Sequence, residues 1–232
     1  MRIAVDSLRI GRVQPLGPAG AQSAIAKHAV SGELELTLVG FIGDEQADRR
    51  HHGGPEKAVH HYPAEHYPRW HELLPDCDPA YLAVGGFGEN LSTQAFDESQ
   101  VCVGDRFRLG SAIVEVSQAR QPCWKLNLRF GRADMAELVQ QRGMTGWYYR
   151  VVEAGRVEPG AALELLERPE PDWPLARILD VFYRDPFNRD DLQALTALAP
   201  LSPSWRRLAV RRLETGRIED FGPRIRTPAA FT

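Results

Sequence analysis

The sequence predicts a mainly β protein with some α: a strand-rich, barrel-type domain over residues 1–167, a linker over 168–174, and three helices with a tail over 175–232. Three observations predict it. Short alternating stretches recur between glycine turns, with few helical patterns among them, which favours a barrel over a doubly wound sheet. Arg168-Pro169-Glu170-Pro171-Asp172-Trp173-Pro174 then places three prolines in a charged segment, the composition of a linker. Beyond it no strand pattern remains.

Taken in order, Ile3 to Ile10 has strand character. Gly11 to Ser31 is rich in Gly, Pro and Ala and reads as a long loop or hairpin, with a brief helical turn near Gln22–Lys27. Glu33 to Val39 alternates polar and apolar, as a half-buried strand does. Gly43 to Glu56 is polar, ends in Gly53-Gly54-Pro55 and reads as a loop. Lys57 to Tyr62 is a short strand, and Pro63 opens a helix reaching about Leu74. Gly85 to Leu91 reads as backbone that bends tightly. Val101 to Gly110 and Ala112 to Gln118 form a hairpin about Gly110-Ser111. Trp124 to Phe130 and Asp134 to Gln141 are helices, each followed by glycine. Gly146 to Val152 and Ala162 to Leu166 are the last strands. The three late helices are Leu175 to Tyr183, Asn188 or Asp190 to Leu198, and Ser204 to Thr215. Phe221 to Thr232 carries prolines and reads as a loosely held tail.

Net charge is −3, too near neutral to imply a nucleic-acid polymer or a membrane surface. No apolar run approaches the roughly 18–20 residues of a membrane span. Met1 to Val5 goes straight into a strand pattern without a signal-peptide core. Cys77, Cys102 and Cys123 make an odd count with neither disulfide nor zinc-ribbon spacing, so free thiols in a reducing cytoplasm are expected.

Chemistry concentrates at Gln118 to Leu126. A strand pattern ends there, Pro122 fixes the backbone, Cys123 follows, and a helical pattern begins. Arg120 and Lys125 flank the thiol, and cations at a helix mouth favour a thiolate. A thiolate is a nucleophile or a soft metal ligand; an inert buried cysteine is the plainer alternative. Cys77 and Cys102 lack such surroundings and read as structural. Five of the seven histidines, His51, His52, His60, His61 and His66, lie within sixteen residues. His60 and His61 fall in a strand, so at most one can face a site. Lys57 opens that strand after a Gly-Gly-Pro turn, as an anion-binding or merely solvated lysine would. Gly85 to Asn90 could cradle phosphate, but no phosphate-loop pattern is present and Glu89 would repel it.

These stretches together resemble a known family. Gly43 to Asp48, His51-His52-Gly53-Gly54-Pro55-Glu56-Lys57-Ala58-Val59-His60-His61-Tyr62, Gly86-Phe87-Gly88-Glu89-Asn90-Leu91, Pro122-Cys123-Trp124-Lys125-Leu126 and Gly146 to Val151 occur in this order in MOSC-domain proteins of the YiiM type, which also carry a C-terminal three-helix domain. The resemblance covers nearly the whole chain. It implies a MOSC β-barrel that binds a molybdopterin-type molybdenum cofactor, with Cys123 as the molybdenum ligand. It further implies reduction of N-hydroxylated bases such as 6-hydroxylaminopurine. Electrons would come from a separate flavoprotein or iron–sulfur donor, because the chain has no flavin motif and too few cysteines for a cluster.

By residue type, His60, His61 or Glu89 could supply protons. Lys57, Arg120 and Lys125 are the candidate phosphate cations, with Gly88, Asn90 and Trp124 as further cofactor contacts. The main rival is a sulfur carrier or cofactor-delivery protein that uses Cys123 without turnover. A zinc hydrolase built on His51 to His61 is a weaker third. The three helices could dock the donor, form a homodimer or simply cover the barrel. If they dock a donor, deleting Pro171 to Thr232 should leave cofactor content intact.

Overall fold

The computed structural model describes residues 2–231. It is a mixed α/β chain built on a nine-stranded sheet. Across the sheet the strands run Arg2–Ala4, Ala162–Glu167, Arg106–Leu109, Ala112–Ala119, Trp147–Glu153, Val59–Pro63, Leu91–Thr93, Ser7–Ile10 and His28–Ala29. All neighbours are antiparallel except Val59–Pro63 and Leu91–Thr93.

The expected closed barrel is not what the pairing shows. The chain crosses from one end of the sheet to the other through Val5 and Asp6. The Val5 N–H donates to Ala161 O (2.8 Å) and the Asp6 N–H to Ser92 O (2.9 Å). The sheet is therefore curled until its ends approach, yet no ladder joins its outer strands Arg2–Ala4 and His28–Ala29 among the described residues.

Several expectations about single elements are also corrected. No helix forms at Gln22–Lys27; Gln14–Leu16 pairs with Ala21–Ser23 as a small hairpin instead. Residues 43–56 are not all loop. Asp48 caps a four-residue helix, Arg49–His52, by accepting from the Arg50 and His51 N–H groups, and a 3-10 turn, Pro55–Lys57, follows. Pro63 ends a strand, and the helix begins later, at His66–Leu73. Helices Lys125–Phe130 and Met135–Arg142 form as expected, and Gly131 and Gly143 close them in the left-handed conformation.

Two apolar clusters organise the interior. The smaller joins helices His66–Leu73, Lys125–Phe130 and Met135–Arg142 around Phe87, which stacks on Tyr62 at 4.2 Å between centroids. The larger runs without a break from the sheet, through Val101, Val103 and Trp147, into Ile178, Phe182, Leu195 and Trp205 of helices Leu175–Tyr183, Arg189–Ala197 and Pro203–Thr215.

Residues 168–174 are accordingly not a free linker. The Val103 N–H donates to Trp173 O (3.1 Å), the Leu175 N–H to Val101 O (2.8 Å), and Arg168 is forked onto the buried Asp105. The proline-rich composition misled because backbone pairing and a buried tryptophan tie the segment down. The tail is not loose either. Its Phe221–Phe231 stretch lies against the start of helix Lys125–Phe130, with Phe231 stacked on Trp124 at 5.2 Å.

Candidate active site

Strand Ala112–Ala119 delivers the chain directly to Arg120, and Pro122 turns it so that Cys123 sits just before helix Lys125–Phe130. Cys123 is buried, and its Sγ lies 3.2 Å from His52 Nε2. His52 is the last residue of the short helix capped by Asp48. The 3-10 turn that follows it is tied down through Glu56. Glu56 Oε2 accepts from Arg150 Nη2 (2.5 Å), Arg150 also pairs with Glu115, and it donates to Pro200 O (2.8 Å).

The thiol opens on a cavity of about 790 Å³, counting the space open to solvent. Lys57, His60, Gly88, Asn90, Arg120 and Lys125 line it, as do His52, Asp44, Lys27 and Tyr148. Six of the residues singled out in the sequence therefore share one wall-to-wall space with Cys123. Their roles differ from the expectation in several cases.

Arg120 is only 6 % exposed, its Nη1 has no hydrogen-bond partner, and it has no acidic partner among the described residues. His60 and His52, which also line the cavity, each keep one buried ring nitrogen unmet, Nε2 of His60 lying towards Gly146. An unmet buried group costs about 1–3 kcal/mol, so the free Arg120 Nη1 suits a polar ligand. Lys57 Nζ donates to His51 O (2.6 Å) and Lys125 Nζ to Gln22 O (2.7 Å), which leaves both amines donors to spare. Lys27 and Asp44, by contrast, neutralise each other in a buried ion pair.

Three expectations are corrected. His61 faces the other side of its strand: Nδ1 bonds Tyr149 Oη and Nε2 bonds Thr93 Oγ1, both at 3.0 Å, and the ring packs on Trp147. Strand alternation required that one of the pair turn away, and it is His61 that enters the core. Glu89 does not line the cavity. Its carboxylate accepts from the Gly85 N–H (2.5 Å) and from Tyr67 Oη, tying the glycine turn to helix His66–Leu73. Trp124 packs on Phe231 and lines nothing.

Asn90 and Gly88 do line the cavity, but as structure. Asn90 accepts from the His60 N–H (3.0 Å) and donates to Arg9 O (3.1 Å) and Asp44 Oδ2 (2.9 Å), so its amide is fully committed. Gly88 has φ +75°, and a Cβ there would meet Ile25 Cγ1 at 2.7 Å, so the close approach is to Ile25. No group of three or more His, Cys, Asp or Glu converges among the described residues, which leaves the zinc reading without a ligand set. No helix among them is long and apolar enough to cross a membrane.

Sequence reasoning named His52 only within the histidine cluster and Asp44 only within a motif, and gave neither its observed role. Asp48 followed by Arg49-Arg50-His51-His52 was the local signal for the first, because aspartate is a helix cap. Nothing local marks Asp44 as the partner of Lys27.

His52, His60 and His61 titrate low. Burial, then the charges of Lys57, Lys125 and Arg120, push His52 down to about 4. Burial takes His61 down to about 3, and burial with the Arg120 charge holds His60 well below its usual value. All three are neutral at pH 7. An unfolded histidine takes up its proton near 6.5, so between that pH and about 4 the unfolded chain binds protons that the native chain does not. Native stability should therefore fall as pH drops from 6.5 towards 4. His52 alone should contribute up to about 3 kcal/mol of that loss. Urea denaturation at pH 7 and at pH 5 measures it; an unchanged midpoint in the wild type would contradict the neutral, buried assignment. His52→Gln should flatten the slope.

Comparison with known proteins follows the same lines. Residues 48–164 match the model of the MOSC domain, and residues 173–216 match that of the YiiM-like 3-alpha helix domain. Protein YiiM of Escherichia coli (strain K12) is 44% identical over 225 residues, spanning 97% of this chain and 99% of that protein. A crystal structure of YiiM from Escherichia coli superposes with a TM-score of 0.79 and 38% identity, over 93% of this chain and 100% of that one. A protein named Reductase from Gibberella moniliformis (strain M3125 / FGSC 7600) is 36% identical over 90% of this chain, which corresponds to 37% of that protein's own length. With both family models matched in order, the chain belongs to the MOSC-domain proteins that carry a YiiM-like 3-alpha helix domain.

Proposed function

We propose that the cavity binds a molybdopterin-type molybdenum cofactor through Cys123, and that the chain reduces N-hydroxylated bases or related N-hydroxylated compounds with electrons from a separate reductase. The observation that carries this reading is the grouping of a buried thiol, bonded to His52, with the unmet Arg120 Nη1 at one cavity. The donor set fits the group. A cysteine sulfur suits a soft, sulfur-held metal, and a fixed guanidinium suits a phosphate. Lys57 and Lys125 add cations where an anion enters.

The net reaction consumes two electrons and two protons, breaks the N–O bond of R–NH–OH, and yields R–NH2 and water. The cofactor, when bound, supplies the two-electron chemistry. The chain's own residues bind and orient. Arg120 anchors the phosphate without having to leave a carboxylate first. Neutral His52 keeps Sγ aimed at the cavity. Neutral His60 lines the cavity, and its depressed pKa makes it a hydrogen-bonding residue rather than a standing acid. Glu89, bonded away from the cavity, takes no part in proton delivery.

The Reductase relative supports an external donor: well over half of its length has no counterpart in this chain. We infer that what the rest of that protein supplies is supplied here by a separate flavoprotein or iron–sulfur partner.

The 3.2 Å Cys123–His52 pair also favours a second reading, a sulfur carrier or cofactor-delivery protein, because an imidazole this close orients the thiol for sulfur chemistry as readily as for metal ligation. Metal and pterin analysis, with an assay on 6-hydroxylaminopurine and a reductase mixture, separates the two. One molybdenum and one pterin per chain with adenine formed is the expected result. Cofactor bound without reduction of any N-hydroxylated base would transfer the case to delivery, and protein from a cofactor-competent host that carries no pterin would sink both cofactor readings.

A further inference from the structure

We infer that Arg224 is a positioning residue for Cys123, and that the segment following the last helix is a working part of the site. The two matched family models end at residues 164 and 216, so this segment lies outside both. It nevertheless grips the cysteine from both sides. The Arg224 guanidinium donates to Pro122 O and to Gln140 Oε1, the latter at 2.5 Å. The Trp124 N–H donates to Arg224 O at 2.8 Å. The residues immediately before and after Cys123 are thus bonded to one residue of the tail.

The grip is needed because helix Lys125–Phe130 has no side-chain cap, so the Trp124 N–H would otherwise be an orphan donor. Asn127 extends the contact by donating to Ile225 O (2.9 Å). At its other end the tail is fixed to the three helices. Arg212, 2 % exposed, donates to both Glu219 carboxylate oxygens (3.0 and 2.7 Å) and to Phe182 O (2.8 Å). Two separate sets of charge-assisted bonds therefore hold the segment, Arg212 with Glu219 on the side of the three helices and Arg224 with Pro122 O on the side of the thiol. The contact it protects is exacting: the Sγ–Nε2 distance of 3.2 Å is lost if the loop shifts by an ångström.

The inference goes beyond the proposed function and stands without it, because its test reads the thiol rather than turnover. Full-length protein is alkylated with iodoacetamide and followed by intact mass and peptide mapping, with Cys102 as an internal reporter of general loosening. Arg224→Ala should speed Cys123 alkylation about tenfold, with Cys102 unchanged. Arg224→Lys keeps the charge but not the fork, and should behave like Arg224→Ala. Should Arg224→Ala fail to fold, Gln140→Leu removes one of the two side-chain contacts and should give a smaller increase at Cys123 alone. A Cys123 rate within about twofold of wild type in these variants, a wild-type rate restored by Arg224→Lys, or Cys102 rising in step with Cys123 would each overturn the assignment.

Discussion

Cys123→Ser should remove essentially all molybdenum from protein expressed in a cofactor-competent host, while Cys77→Ser and Cys102→Ser keep it. The three cysteines are separated by their surroundings. Burial, and then the Asp105 charge, push the Cys102 thiol up to about 11, and its Sγ faces Pro171 O. Burial raises Cys77 as well. Neither will offer a thiolate at neutral pH. Cys123 alone opens on the cavity and on His52. A serine oxygen there is harder and far less acidic, so a soft-metal bond worth most of the affinity is lost. Arg120→Met sharpens the experiment through an opposite effect. The buried guanidinium has an unmet Nη1 and no acidic partner among the described residues, so in cofactor-free protein it is a liability. Removing it should stabilise the cofactor-free chain by about 1–3 kcal/mol and at the same time abolish pterin retention. Thermal melts of cofactor-free wild type and variant, beside pterin fluorescence after release, read both. A destabilised variant that still holds pterin would show that Arg120 is a structural cation instead.

What the sequence makes legible here is local. The strand-to-proline-to-cysteine-to-helix transition needs only alternation, one proline and a helical pattern, and Ala112–Ala119 and Lys125–Phe130 form on either side of it as read. The alternation rule also requires His60 and His61 to part company; which one enters the core is decided by Tyr149, Thr93 and Trp147, none of them nearby in the chain. His52 meets Cys123 across 71 residues, and Arg224 meets Pro122 across 102. Composition cannot reveal such pairings, because the same residues on a solvated surface would look identical. Glu89 and Asn90 mislead for a related reason. Their types suit proton transfer and ligand binding, but the Asn90 amide is committed to His60, Asp44 and Arg9, and Glu89, held by Tyr67 and Gly85 through Oε1, does not line the cavity. The linker is the clearest case. Prolines report that a segment makes few regular hydrogen bonds, and say nothing of whether its flanking tryptophan is buried.

That last point decides what removal of the three-helix region would do. The donor-docking alternative, which treats the three helices as a detachable module, requires that the sheet be complete without residues 171–232. It is not. Val101, Val103 and Phe107 share one unbroken apolar cluster with Ile178, Phe182 and Trp205, and all six are almost fully buried. Deletion would also strand the N–H of Val103 and the acceptor of Val101 at the seam, together with Ser117 O, which now accepts from the Ser202 N–H. Arg150 would lose Pro200 O and with it part of the hold on Glu56 and its 3-10 turn. The fragment 1–170 should therefore be insoluble or molten, and should hold no cofactor for reasons of folding rather than of donor docking. A point variant asks the same question without removing chain. Trp205 is fully buried at the centre of the three helices, in edge contact with Phe182 at 4.7 Å. Trp205→Ala should cost about 3–5 kcal/mol. Because the core is continuous, that cost should appear as a lower midpoint of one cooperative urea transition, with far-UV circular dichroism and intrinsic fluorescence coinciding. Two resolved transitions, only the later one unaffected by Trp205→Ala, would restore the detachable module, and so would a soluble 1–170 fragment with a cooperative melt of its own.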